Sequence, residues 1–394
     1  MKRAYLLYFI IFTFACGESV DNHHSSNKDL TSINQTKELL VTSKLGDPID
    51  DVDEHFKFLD LISLITPEDI TISEITNVKL DELGIYIHDK KFSSLHHFDS
   101  LGNYQKSFGS IGEGPGEYLD IADFEVVDNK ICILSKSKKG ILFFDKTTGD
   151  FIDEYRYDIF GDEIVHLGNN EFLIYTNFNV NDENGSFNVF RADSKGNIIE
   201  KYFPFNEDKQ HSMISMSGYL SESNNEIFFA LPFDQFIFSY DRNENIFFPK
   251  YMTDMLSEYI LKNKKDFDAI LKPEVLVKSF GGESWNGTTF LENDKHIYLS
   301  LYDLSSQKNV VIDKETNEMI TISKKSKNPF FRLLDDPLIL TSKNELFFPI
   351  YGEKIYSKEY FVFSENSQFI RELMIKRDSS DSDVPYFLLK TQLL

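Results

Sequence analysis

The chain has 394 residues, with 37 phenylalanines, 19 tyrosines and 64 acidic against 41 basic side chains, for a formal charge of −23. A surface of that sign repels phosphate backbones and anionic headgroups, which excludes nucleic acid as a partner. Two cysteines, Cys16 and Cys132, leave no disulfide framework and no cysteine-based zinc site, and the aromatic richness suits half-buried pleated surfaces, so an all-β protein is expected.

Residues 1–16, MKRAYLLYFIIFTFAC, place two positive charges before an apolar run from Ala4 to Phe14. That is the shape of a secretory leader, too short for a mature membrane span. Cys16, directly after Ala15, resembles the processing site of bacterial lipoproteins, and the resemblance implies that Cys16 carries a lipid; an ordinary cleaved leader is the alternative. No other apolar stretch approaches the roughly 18 residues of a span, so membrane contact is expected through the anchor only. Residues 17–54 are polar and mixed and read as a flexible tether, leaving 55–394 as the folded domain. Cys132, inside the run Ile131 to Leu134, is expected to be a small buried hydrophobe.

From there a weak repeat organises the chain. Asp or Asn with Glu or Lys precedes a short apolar run six times: Asp81 to Ile87, Asn129 to Ile133, Asn170 to Ile174, Asn225 to Phe229, Asp294 to Tyr298 and Asn344 to Phe348. Asn and Asp tolerate the left-handed backbone of tight hairpins, so each reads as a turn feeding a strand. A second polar turn follows each run, at Asp99, Asp145, Asp193, Asp241, Asp313 and Ser364, with spacings of 46, 48, 48, 72 and 51. Units of 40 to 50 residues with four short strands are propeller blades. Six of them, antiparallel and four-stranded, fill residues 72 to 375. The long step is assigned to a helical insertion at 251–272 between blades four and five, where apolar residues fall at helical spacing. The phenylalanine pairs in ILFFD, EIFFA and ELFFP are expected to fill the gaps between blades. Two closures of the ring are open: Phe56 to Ile65 adds a strand to the last blade, or the C-terminal VPYFLLKTQLL packs across the seam.

The stretch GEGPGEY, Gly112 to Tyr118, puts three glycines and a proline into seven positions. It lacks the Gly-Lys-Ser/Thr ending of a phosphate loop, its third glycine is one position early for a dinucleotide fingerprint, and no helix pattern follows. In the blade map it is the crossing from blade one to blade two, with Gly112, Gly114, Pro115, Gly116, Glu117 and Tyr118 as a structural motif. FGSIGEGPGEYLDIADFEV resembles the hallmark segment of the six-bladed β-propeller lipoproteins of the Bacteroidetes, relatives of the NHL-repeat propellers. The resemblance covers about residues 55 to 375 and implies an exported, lipid-anchored propeller of the cell envelope, at the outer membrane on either its periplasmic or its surface side. It supplies no catalytic residues.

Loops from outer to next inner strand, and from second to third strand, emerge on one face of a propeller. That rule gathers Lys90, Lys91, Lys136, Lys138, Lys139, Lys324, Lys325, Lys327 and Arg332 on one face, together with Trp285, the single tryptophan. A cationic rim suits a carboxylated or sulfated glycan, and a flat indole stacks on a sugar; solvated loop lysines and a tryptophan wedged between blades are the plainer alternatives. Histidine pairs at metal-binding spacing and calcium loops are missing from the sequence, so neither metal nor cofactor is expected. His96 and His97 are neighbours on a strand and point to opposite faces. The function expected is a non-catalytic binding module for a glycan or an envelope protein. The alternatives are a lyase or hydrolase acting on an acidic polysaccharide, and a structural subunit of an envelope assembly.

Overall fold

The computed structural model describes residues 38–40, 45–205, 219–231, 234–253, 285–303, 306–361, 367–380 and 384–394. These form a six-bladed propeller of four-stranded antiparallel sheets. Blade one is Ile75–Asp81, Gly84–Asp89, Ser94–Phe98 and Tyr104–Ser107; blade two is Asp123–Val127, Lys130–Ser135, Gly140–Asp145 and Phe151–Arg156. Blade three is Glu163–Gly168, Glu171–Tyr175, Phe187–Asp193 and Ile198–Pro204, and blade four is Tyr219–Ser223, Glu226–Ala230, Phe236–Asp241 and Ile246–Thr253. Blade five is Trp285–Glu292, His296–Asp303, Ser306–Asp313 and Met319–Ser323. The first strands of neighbouring blades lie side by side around the axis.

Local chemistry sets the turns. Asn169 and Asn170, and again Asn224 and Asn225, both take positive φ, the two-residue hairpin geometry that asparagine tolerates best. In the hairpin between the third and fourth strands of each of blades one to five, one aspartate caps the turn. Asp99 Oδ1 accepts from the amides of Leu101 and Asn103, Asp145 from Thr147 and Thr148, and Asp193 from Lys195 and Asn197. Asp241 accepts from Asn243 and Glu244, and Asp313 from Glu315 and Thr316. Amide donation, led by Thr148 to Asp145 and Thr316 to Asp313, holds these two carboxyls below the usual range. The recurring aspartate is therefore a turn device.

The paired phenylalanines of blades two and four work as expected of alternating strand positions, and in blade six Phe348 does so. Phe143 meets Phe172 in the gap between blades two and three, while its neighbour Phe144 meets Phe108 between blades one and two. Phe228 and Phe229 do the same toward blades five and three, against Phe290 and Tyr175. Cys132 is buried as a hydrophobe in the gap between blades two and three.

Blade six holds Ile339–Leu340, Glu345–Tyr351 and Tyr386–Leu393, and its outer strand is Phe56–Ser63 from the other end of the chain, with Phe56 opposite Leu393 and Ser63 opposite Phe387. Of the two closures left open above, the first is correct; the C-terminal segment is the third strand of this blade rather than a cover over its seam. The sequence period therefore misplaces the last repeat. Its third strand does not precede Ser364, which lies outside the described residues, but follows an excursion that carries the helix Gln368–Asp378. Phe369, Ile370 and Leu373 of that helix are buried between blades five and six. The helix expected at 251–272 starts instead as strand, since Tyr251–Thr253 end the outer strand of blade four; 254–272 lie outside the described residues.

Residues 45–54, grouped above with the tether, are bound to the wheel. The Ile49 amide donates to the Thr321 carbonyl at 2.9 Å, Asp50 accepts from Ser326 Oγ and the Lys327 amide, and Val52 is buried. Asp53 accepts from the amides of Gln368 and Phe369 at the start of the helix. Upstream, Glu38–Leu40 pairs in parallel with Tyr251 to Thr253 at the edge of blade four.

Candidate functional site: the axial funnel

Each inner strand begins at the face that carries the blade-to-blade crossings, so its first residues surround the axis there. Together they line a cavity of about 570 Å³ to which all six blades contribute, from Thr76 and Asn77 of blade one to Leu338 just ahead of blade six. Its size is that of a small-ligand site.

The crossing Gly112 to Tyr118 packs against the outer strand of blade two, with Gly116 at Phe151, and is closed on itself. The Gly112 amide donates to the Tyr118 carbonyl at 3.0 Å, the Gly114 amide to Glu117 Oε2 at 2.8 Å, and the Tyr118 hydroxyl to the Phe108 carbonyl at 2.7 Å. These amides are used within the loop and cradle no phosphate.

Around the funnel runs an arc of polar groups. On blade one, His88 Nδ1 faces Thr76 Oγ1 at 3.2 Å, and its Nε2 is buried without a hydrogen-bond partner among the described residues. Burial pushes this imidazole down to about 4, against the pull of Asp89, so it is neutral near neutral pH. Next, Asn77 Nδ2 donates to Asp123 at 2.6 Å, and the Ile164 amide donates to the same carboxylate at 2.9 Å, which ties blades one, two and three. On blade three, Glu163 accepts from the Leu220 amide of blade four. Burial, with Asp123 and Asp162 adding to it and Lys136 opposing it, drives the Glu163 carboxyl well above its usual range. Asp123 is raised by burial as well, although Lys79 pulls the other way. The arc ends at Tyr219, whose hydroxyl is buried, has no hydrogen-bond partner among the described residues, and is pushed up by burial and by Glu163.

Further along the axis Lys79 pairs with Glu125 at 3.0 Å; burial lifts Glu125 to about 7 in spite of that cation.

The lysines named from sequence are dispersed. Lys90 and Lys136 line the funnel, and Lys136 pairs with Asp162. Lys91 is exposed above the Phe92 ring. Lys138 reaches away, donating to the carbonyls of Glu113 and Gly114 at 3.3 Å and lying 3.5 Å from Glu154. Lys139 sits over the Phe160 ring at 4.2 Å. Lys324 pairs with Asp335 and Lys327 with Asp50, while Lys325 and Arg332 are exposed on the crossing from blade five to blade six, away from the funnel lining. Trp285 opens the inner strand of blade five, opposite Tyr302, and its side chain lies outside what is described; Cys16 lies outside the described residues altogether. His96 and His97 do point apart, His96 to Ser94 and Ser107, His97 to the Leu83 carbonyl and the Tyr86 ring. Among the described residues no group of three acidic, histidine or cysteine side chains is placed to hold a metal, and no helix is long and apolar enough to cross a membrane.

What the sequence concealed was His88, Asp123, Glu163 and Tyr219 as one constellation. The available signal was position, since the latter three are at the starts of inner strands.

A family model for a domain of unknown function, DUF4934, matches residues 42–383. The chain belongs to this family. Among solved structures, a Bacteroides fragilis protein described as exported is similar over 90% of this chain and 99% of its own, with a TM-score of 0.71 at 15% identity. A member of the DUF4221 family from Bacteroides vulgatus is similar over 86% of this chain and 98% of its own, with a TM-score of 0.52 at 8% identity. At such identities the likeness is one of fold. No curated protein sequence matches the chain.

Proposed function

We propose that this DUF4934 protein is an exported envelope component, anchored through a lipid on Cys16 and akin to the NHL-type propeller lipoproteins, whose wheel binds a polar ligand in the axial funnel and performs no chemistry on it. The leader-like residues 1–16 and the fold shared with an exported Bacteroides protein support the location. The binding role rests on one observation: a cavity to which all six blades contribute is lined by His88 and Tyr219, whose buried Nε2 and hydroxyl the protein itself leaves unpaired among the described residues. A buried group without a partner costs about 1–3 kcal/mol, and a ligand that pairs both recovers that cost. A glycan or a segment of an envelope protein offers such partners. The lysine loops support an anionic glycan less well, because Lys136, Lys138, Lys324 and Lys327 each face a carboxylate already.

The test is a glycan-array screen of the full chain, repeated with Thr76→Trp, which fills the funnel from an exposed position, and with Tyr219→Phe, which removes one unpaired hydroxyl. Binding should disappear in the Thr76→Trp variant. It should weaken about tenfold in the Tyr219→Phe variant, whose melting temperature should hold or rise. Binding indifferent to both changes would move the site off the axis.

A further inference from the structure

The funnel has two unlike walls. Blades one to three supply its charged side chains: Asp120, Asp123, Asp162 and Glu163 against Lys90 and Lys136. Blades four to six supply Leu220, Phe290, Leu291 and Leu338 beside Tyr219. Of the cations, Lys136 is taken by Asp162. Asp123 and Glu163, on adjacent blades, hold only neutral donors, an asparagine amide and two backbone amides, and neither is in an ion pair among the described residues. An acidic cluster alone would indicate nothing. Here it shares a cavity with His88 and Tyr219, residues 2% exposed whose buried Nε2 and hydroxyl have no partner among the described residues.

Those two groups also restrict the shape of the ligand. They stand on blades one and four, which are opposite one another in a wheel of six. A lysine or arginine side chain brings its polar groups at a single tip and reaches one side of the funnel. A pyranose brings hydroxyls on several edges and a flat C–H face, which suits polar groups on opposite sides and an apolar wall between them. A cation placed beside Asp123 and Glu163 favours their ionised form against the burial that raises both.

From this juxtaposition we propose that the funnel holds a sugar that carries a protonated amine, with the ammonium against Asp123 and Glu163, the hydroxyl edges at His88 and Tyr219, and the ring face on Leu220, Phe290 and Leu291. The proposal rests on the funnel being the binding site, and its test separates the two ideas.

Calorimetric titrations of the full chain would use three probes: the glucosamine disaccharide, its di-N-acetylated form, and dilysine. The free amine sugar should bind, with the acetylated form and dilysine each weaker by about tenfold or more, since a charge-assisted hydrogen bond is lost in one and the hydroxyl contacts in the other. Glu163→Gln and Asp123→Asn should each weaken the amine sugar by about tenfold and leave the acetylated sugar unchanged; a variant that melts early is set aside and the other decides. Equal binding of the two sugars, or dilysine binding as tightly as the amine sugar, would overturn the amino-sugar assignment. If Thr76→Trp then abolishes that binding, the funnel stands as the site and only the ligand class falls. If Thr76→Trp leaves every titration unchanged, the funnel falls too.

Discussion

His88 and Glu125 are buried titratable groups whose protonation works in opposite directions. The His88 imidazole takes a proton at about 6.5 in an unfolded chain and at about 4 in the fold, because burial disfavours the charged ring. The unfolded state therefore binds more protons between those values, and the fold loses stability as pH falls from about 6.5 to about 4, by up to about 3 kcal/mol. Glu125 is raised from 4.5 to about 7 by burial, so its contribution is full below 4.5 and is lost as pH rises through 7. His88→Gln should flatten the fall in melting temperature between pH 6.5 and 4, and Glu125→Gln should flatten the fall between pH 4.5 and 7. Thermal melts across that range check both; a His88→Gln profile parallel to the parent would show that the ring is charged in the fold. None of this was legible in the sequence. His88 there is one of several isolated histidines, and its neutrality comes from packing that only the assembled ring creates.

The strands and their turns were the legible part, because their chemistry is local. Asparagine pairs at the first hairpins and capping aspartates between third and fourth strands satisfy backbone within a few residues, so they mark the chain wherever the blade lies. The crossing at Gly112 to Tyr118 belongs to the same class, and its role as a joint followed from what surrounds it. Gly116 has φ of +74°, and a Cβ there would meet Phe151 at 2.9 Å. Gly116→Ala should cost about 2–4 kcal/mol from left-handed strain and overpacking together, read as a lower midpoint in urea. A cost under about 0.5 kcal/mol would mean that the crossing adapts freely. The helix Gln368–Asp378 escapes the sequence pattern because it interrupts a blade: the period runs on to Ser364, and the interruption displaces the third strand to Tyr386–Leu393. The funnel escapes for a different reason. Its residues sit a few to a blade, with tens of positions between blades, and what joins them is rotation about an axis that has no signature in sequence.

For the molecule as a whole, the seam in blade six carries the most weight. Phe56–Ser63 pairs along its length with Tyr386–Leu393, and Val52, Phe56 and Leu61 are buried with Phe330 and Phe369 between blades five and six. Deleting residues 45–63 would expose the edge of Tyr386–Leu393 and open that core. The expected result is a chain that elutes as aggregates in size-exclusion chromatography and melts without one cooperative transition. A monomeric product with the parent's melting temperature would show that the wheel closes by other means. Asp53, reaching from this segment to the helix start, makes the same join from a second point.

That seam also dictates when the protein can mature. Its two halves leave the ribosome at opposite ends of translation, so a nascent chain has no clasp to fasten until Tyr386–Leu393 emerges, and a product cut short before Tyr386 never gains one. Premature termination should then yield a species that quality-control proteases remove, however many of its other blades have formed.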